Sequence, residues 1–412
     1  MAQIIVDITL EKLVYGGDAL GRLPDGRAVF IPFGLPGERV RARLVEEKRG
    51  FARAELLDVL DKSSERIKPR CRHFGVCSGC HYQHLSYESQ LKAKTEILRD
   101  QLQRIGRLEN PPLRPMVASP DEWNYGNRVQ FHLTDDGKLG FVQAGTIPAL
   151  IPIAECHLPE QAINDLWPRL EFESATEIEL VSLRVGMDED LMLVLESGTP
   201  QMPAFEIEAS ISVAHVFNEN TIVIAGDDHI FMRVLERGFK VSAASFFPMN
   251  TRMAGQLVEY LLAKLPVTRS AALLDIDCGV GLFSAFFAPQ CRQVVGIESS
   301  QSEFEDFAVN LDEFDNVELY HGFAEEILPA LIGQIANPVY VLVESPGLAK
   351  AALDAIIGIK PQVIAYVSCD PATLARDAAR LISAGYRLDE VAPFDISPQT
   401  IHIESIGIFT RA

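Results

Sequence analysis

From about residue 241 the chain repeats one pattern five times, a short apolar run followed by a helical stretch. The runs are Ala271-Ala-Leu-Leu-Asp, Val294-Val-Gly-Ile-Glu, Val317-Glu-Leu-Tyr, Val339-Tyr-Val-Leu-Val and Val363-Ile-Ala-Tyr-Val. Strands that are apolar throughout need cover on both faces, so the pattern predicts a doubly wound, mostly parallel sheet. Ligands of such sheets bind beyond the carboxyl ends of the strands. Residues that close these runs are therefore the first candidates for chemistry.

Two places stand out. After the first run comes Leu274-Asp275-Ile-Asp277-Cys-Gly279-Val-Gly281, and Glu298 closes the next run 23 positions after Asp275. Glycines let the backbone approach a ligand, and an acid at the second strand tip accepts hydrogen bonds from a ribose diol. The turn is G-x-G with an acid before it, which favours a single nucleoside with a charged tail, such as S-adenosylmethionine, over a dinucleotide. After the fifth run comes Ser368-Cys369-Asp370-Pro371, and Glu404 follows 35 positions later. A thiol at a strand tip with a late carboxylate folding back to it makes a nucleophile and a base. Such a cysteine can add to an electrophilic ring carbon, C6 of a pyrimidine for example, which would make C5 nucleophilic. C5 then takes a methyl from a sulfonium, and the carboxylate removes the C5 proton before the thiol is expelled.

Upstream, residues 1–60 alternate with the strand period and are punctuated by Gly16-Gly17, Asp25-Gly26 and Pro36-Gly37, as in a small OB-type barrel. Arg39, Arg41 and Arg43 share one strand face, which suits contact with a phosphate backbone or solvates an edge strand. Cys71-x5-Cys77-x2-Cys80 then occupies one loop, and a helical stretch runs from about Ser86 to Arg104. Residues 112–240 read as mostly β. Three thiolates in one loop hold zinc or an iron–sulfur cluster, with Cys156 as the candidate fourth ligand and His73, His81 or His157 as alternatives for zinc. The expected divisions are 1–62 for the barrel, 63–240 for a central β domain with the cluster loop, and 241–412 for the doubly wound domain.

Charge bears on the partner. The formal net charge is −20, yet residues 1–110 hold 19 Lys+Arg against 15 Asp+Glu while the rest hold 18 against 42. A polyanion would therefore dock on the N-terminal part. The start Met1-Ala-Gln has no basic leader, no apolar stretch approaches a membrane span, and seven cysteines fit a reducing cytoplasm.

Together these residues resemble the RNA uracil-5-methyltransferases, the family of the tRNA and ribosomal-RNA 5-methyluridine enzymes. The resemblance is carried by Tyr15-Gly-Gly-Asp-Ala-Leu-Gly-Arg22 and Phe30-Ile-Pro-Phe-Gly-Leu-Pro-Gly-Glu38, similar to a TRAM domain. It continues through Cys71 to Leu85, Gln90-Leu-Lys-Ala-Lys94, Tyr125-Gly-Asn-Arg128, Leu274 to Gly281, Ser368 to Asp377 and Pro398-Gln-Thr-Ile-His-Ile-Glu404. It implies an α/β chain with additional β domains: an OB-like TRAM barrel, a central mostly β domain, and a Rossmann-like class I methyltransferase fold. It further implies a [4Fe-4S] cluster on Cys71, Cys77, Cys80 and Cys156, Cys369 as nucleophile and Glu404 as proton acceptor. S-adenosylmethionine would meet Asp275, Asp277, Gly279, Gly281, Glu298 and Glu344. The expected partner is RNA, tRNA or rRNA, met by a cytoplasmic monomer.

The departures fall more on the cofactor side than on the thiol–carboxylate pair. Ser245-Phe-Phe-Pro248-Met-Asn250 stands where the family has Phe-x-Gln-x-Asn, so an amide is lost. Asp277 replaces an aromatic, Leu282 a small polar residue and Phe323 a polar one; Glu344-Ser-Pro-Gly347 replaces Asp-Pro-Pro-Arg. Asp370 stands for the asparagine of Ser-Cys-Asn-Pro, and Ser397 for a phenylalanine. The expected activity is S-adenosylmethionine-dependent formation of 5-methyluridine; the alternative is a degenerate member that binds RNA without methyl transfer.

Overall fold

The computed structural model describes residues 4–145, 149–172, 177–201, 205–206, 210–218, 220–335 and 337–411. Met1 to Gln3, weighed above as a possible leader, lie outside the described residues.

Strands β1 (Ile5–Leu13), β2 (Ala19–Arg22), β3 (Ala28–Ile31), β4 (Arg39–Glu47) and β5 (Phe51–Asp61) close into a barrel in the order β1-β2-β3-β5-β4. Period-2 alternation sends Ile8, Leu10, Val29, Ile31, Val40 and Ala42 inward. Closure leaves β4 no free edge, so its arginine stripe guards none. Arg39, Arg41 and Arg43 instead pair with Asp61, Asp7 and Glu55 on the flanking strands. A phosphate would have to displace those carboxylates.

The barrel core also takes in Tyr82, Leu85, Ile97 and Ile403, which lie far away in sequence. Ile97 belongs to α1 (Tyr87–Arg104), whose first turn is capped by the Ser86 hydroxyl accepting from the Ser89 amide. Leu98 and Leu102 of the same helix enter the core of the C-terminal sheet. One helix thus glues the barrel to that sheet.

The central region is a seven-stranded sheet. It runs Asn220–Ala225, Ser212–Phe217, Leu191–Ser197, Ile178–Val185, Arg128–Leu133, Leu139–Val142, Leu150–Pro152. The C-terminal sheet runs Val317–His321, Gln293–Glu298, Ala272–Ile276, Val339–Glu344, Val363–Ser368, Glu404–Arg411, Tyr386–Phe394. Its first five members pair in parallel, and Glu404–Arg411 enters antiparallel. Chain order reverses between Ala272–Ile276 and Val339–Glu344, which opens a crevice at their carboxyl ends. Asp275, Glu298, Glu344 and Cys369 all close strands on that edge. Among the described residues no helix is long and apolar enough to cross a membrane.

Candidate active site

The thiol owes its place to a strand tip and a helix cap. Ser368 ends its strand, and the Asp370 carboxylate accepts from the amides of Ala372 and Thr373 at 2.8 and 2.9 Å. Pro371 opens the helix Pro371–Ser383, where its missing amide proton costs nothing. Cys369 is caught between the two elements and is exposed. On the neighbouring antiparallel strand Ser405 pairs with Ser368, so Glu404 and Cys369 are the next positions beyond the ladder.

Burial pushes the Glu404 carboxyl up to about 8. Burial, with the Glu404 and Asp370 charges behind it, pushes the Cys369 thiol up to about 11. The resting pair therefore carries its protons at neutral pH, and an ionised Glu404 makes the thiolate harder to form.

The segment before Glu404 is held by groups from three regions. Lys94 Nζ on α1 donates to Asp395 Oδ1 at 2.6 Å and to the Ser397 carbonyl at 3.0 Å, and both charged side chains are wholly buried. Gln90, one turn earlier, accepts from the Gln399 amide and donates to its side-chain oxygen at 3.0 and 2.9 Å. The amides of His81 and Tyr82, next to Cys80, both donate to the Gln399 carbonyl. The Tyr125 hydroxyl donates to the Pro398 carbonyl at 2.9 Å. His402 is exposed and takes part in none of these bonds.

Around the glycine turn the structure gathers carboxyls. Ser284 Oγ donates to Asp275 Oδ2 at 2.6 Å, and the Asp275 carboxyl also hydrogen-bonds Glu344 on the adjacent strand. Burial pushes Asp275 up to about 7 and, with Asp275 beside it, Glu344 well above the usual range. Asp275 Oδ1 and Glu344 Oε1 are buried and accept from no amide or hydroxyl, which leaves the other carboxyl as their neighbour. Glu298 already accepts from the Gly279 amide at 2.8 Å and the Ser300 amide at 2.7 Å, leaving one lone pair per oxygen. Asp277 and Gly279 sit at φ of 56° and 53°; Gly281, at 85°, allows no side chain because a Cβ would lie 2.4 Å from Leu311 Cδ1. Gly281 thus serves packing first.

The altered segment has its own anchors. Ser245 Oγ donates to Asp306 Oδ2 at 2.6 Å, and the Phe246 amide to Glu303 Oε1 at 2.9 Å. Asn250 caps the helix Thr251–Lys264 by accepting from the Met253 amide. Phe246 and Phe323 are 64% and 58% exposed, large for phenylalanines beside a crevice. Glu303, pushed up to about 7 by burial, is an acid of this region that sequence reasoning missed; its position three residues into a capped helix is the signal that marks it.

Cys71, Cys77, Cys80 and Cys156 line one cavity of about 200 Å³ with His73, Gln83 and Arg128. Among the described residues no three His, Cys, Asp or Glu side chains converge closely enough to hold a metal ion. The His73 amide donates to Cys71 Sγ and the Gly79 amide to Cys77 Sγ, both at 3.3 Å. Burial pushes Cys80 and Cys156 up to about 12. Cys278 and Cys291 are core thiols.

Known proteins resemble this chain along most of its length. A family model described as tRNA (Uracil-5-)-methyltransferase matches residues 227–412, and one for the TRAM domain matches residues 5–57. An uncharacterized RNA methyltransferase of Halalkalibacterium halodurans is 31% identical, over 98% of this chain and 96% of the relative. One from Aquifex aeolicus is 32% identical, over 97% of each. The solved tRNA (uracil-54, C5)-methyltransferase of Pyrococcus abyssi, in complex with S-adenosyl-L-homocysteine, shares the fold at a TM-score of 0.75 and 24% identity. That likeness covers 98% of this chain and 99% of the other.

Proposed function

This chain belongs to the tRNA (uracil-5-)-methyltransferase family of RNA methyltransferases, and on that premise we propose that it methylates C5 of a uridine in tRNA or rRNA through a covalent adduct of Cys369. The observation that carries the reading is the Ser368–Ser405 pairing, which brings an exposed thiol beside a half-buried carboxyl.

The cycle follows from those two groups. The thiol proton leaves to solvent and the sulfur adds to C6 of uracil. The C5–C6 π electrons move onto the C4 carbonyl, which leaves C5 nucleophilic. S-adenosylmethionine, when bound, supplies the electrophilic methyl at C5. Glu404, once its own proton has gone to solvent, takes the C5 proton as a carboxylate, the C5–C6 double bond re-forms, and the thiolate departs. Burial makes Glu404 a stronger base than a surface carboxylate, which suits it to a carbon acid.

The glycine turn fits that cofactor. Asp275, Asp277, Glu298 and Glu344 supply an acidic lining, and a sulfonium with an ammonium group outweighs one carboxylate in charge. The side chains of Pro248 and Phe323 carry no hydrogen-bonding group where the resembling family has polar ones, and that favours the rival reading of RNA binding alone. Calorimetric binding of S-adenosylmethionine at submillimolar concentration would count against the rival.

Cys71, Cys77, Cys80 and Cys156 line one cavity, and four thiols are the donor set that would hold a [4Fe-4S] cluster. Bound there, the cluster would supply the positive charge that four mutually repelling buried thiolates require, and it would brace the His81-Tyr82 backbone against Gln399.

The test is mass spectrometry of nucleosides from RNA incubated with the protein and labelled S-adenosylmethionine. Label in 5-methyluridine of tRNA or rRNA is the expected result; its absence from both refutes the proposal.

A further inference from the structure

Side chains tie the loop after Glu344 to the turn that carries Cys369. That loop, Ser345-Pro346-Gly347-Leu348, leaves the strand Val339–Glu344 beside its parallel neighbour Val363–Ser368. The Leu348 amide donates to the Tyr366 hydroxyl at 3.1 Å, and the hydroxyl donates to Asp377 Oδ2 at 2.8 Å. Arg376 Nε donates to Asp377 Oδ1 at 2.7 Å, and Arg376 Nη2 donates to the Leu348 carbonyl at 3.3 Å. Thr373 Oγ1 donates to the Pro346 carbonyl. The Ser368 hydroxyl accepts from the Asp370 amide at 3.1 Å and shares its proton between the Pro346 and Asp370 carbonyls, at 3.3 and 3.2 Å. Cys369 lies between Ser368 and Asp370, so the hydroxyl that shapes its turn also holds the loop. Tyr366, Ser368 and Asp377 are all buried.

We infer that Tyr366 is a positioning residue for methyl transfer: through Leu348 and Asp377 it holds the loop after Glu344 against the thiol-bearing turn, and so sets the separation of cofactor crevice and thiol. An adduct fixes C5 to Cys369, whereas the crevice lined by Asp275 and Glu344 places the methyl. The two reacting carbons are thus anchored on different strand tips, and a misplacement of about 1 Å between them costs about 100-fold in rate. The Tyr366 hydroxyl is used at both ends, accepting one bond and donating another, so a side chain without it keeps neither. Gly347 belongs to the same contact. A Cβ there would lie 3.0 Å from Thr373 Cβ and 3.4 Å from Arg376 Nη2, so the arginine of the resembling family would crowd the Arg376 guanidinium. Glycine lets the loop close on the helix Pro371–Ser383.

Because that role presumes the adduct reading above, one arm of the test needs no turnover. In the first arm, Tyr366→Phe is assayed for single-turnover methyl transfer to unmodified tRNA and rRNA. The rate should fall about tenfold, with KM for RNA and for S-adenosylmethionine each changed by less than about twofold. A rate within about twofold of wild type, or a loss confined to KM, would overturn the inference. Should Tyr366→Phe fail to fold, Gly347→Ala displaces the loop from its other side and keeps the hydroxyl. It should then show the same fall in rate at unchanged KM, and a wild-type rate would overturn the inference.

The second arm follows alkylation of Cys369 by iodoacetamide at one pH without RNA or cofactor, read on the Cys369 peptide. With the loop released, the turn opens more often, and Tyr366→Phe should be alkylated about threefold faster than wild type. An equal rate overturns the inference. If wild-type protein methylates nothing, the adduct reading fails, while this arm still decides whether Tyr366 holds the thiol turn.

Discussion

Replacing Lys94 by methionine tests how the active-site segment is held. The lysine and Asp395 are both fully buried, 2.6 Å apart, and Asp395 Oδ2 lacks a partner. Burial pulls the Lys94 pKa down and the aspartate holds it up. The pair offsets its own desolvation, and little net stability remains. Methionine fills nearly the same volume but strands a carboxylate, which costs about 3–5 kcal/mol. With a urea m-value of about 2 kcal/mol/M, the midpoint should fall by about 2 M. Lys94→Met with Asp395→Leu removes both charges and should recover most of that loss. Chemical denaturation followed by circular dichroism reads both variants. Activity should behave differently. The double variant keeps its fold but loses the restraint on Ser397, so turnover should stay depressed by about tenfold. A Lys94→Met midpoint within about 0.5 M of wild type, or a double variant as unstable as the single one, would refute the argument.

Four more outcomes follow from the structure. Glu404→Gln should form the adduct but fail to release it, accumulating a denaturant-resistant protein–RNA complex on gels, whereas Cys369→Ala should form none. Single-turnover rate should rise with pH across the range where Glu404, at about 8, and Cys369, at about 11, lose their protons; the log slope should be about two below pH 8 and about one above it, and a flat profile would exclude the pair. S-adenosylmethionine affinity should strengthen as pH rises through about 7, because Asp275 then loses its proton and meets a cation, and Asp275→Asn should flatten that dependence in calorimetry. Anaerobic protein should carry about four iron atoms per chain, and stoichiometric zinc without iron would overturn the cluster.

The sheet was legible because a strand buried on both faces has to be apolar at every position, as Val339 to Val343 and Val363 to Val367 are. The barrel was legible for the complementary reason, strict alternation between tight turns. Ser86 marked the start of α1. What local pattern hides is the partner. Lys94 looks like one more solvated helix charge until Asp395, 301 positions away, meets it. The arginine stripe of β4 announces its own charge but not the acids on β1 and β5 that answer it. Nor does spacing reveal that Asp275 and Glu344 share a hydrogen bond; that follows from their strands being neighbours where the sheet reverses order.

Those hidden contacts share a target. A chain whose nucleophile and proton acceptor stand 35 positions apart must fix the intervening backbone, and each unfixed residue would cost about 1–2 kcal/mol of order at the moment of reaction. Here α1 supplies Gln90 and Lys94, the cysteine loop supplies two backbone amides, and the barrel supplies Gly17 and Ile403's apolar surroundings. All of them meet between Asp395 and Glu404, not at the glycine turn. Most of the departures from the resembling family, from Pro248 to Glu344, fall in the cofactor crevice, while Ser397 is the one named departure inside the tied segment. The segment before Glu404 is tied to three separate regions, and a substitution there would have to be matched in each of them.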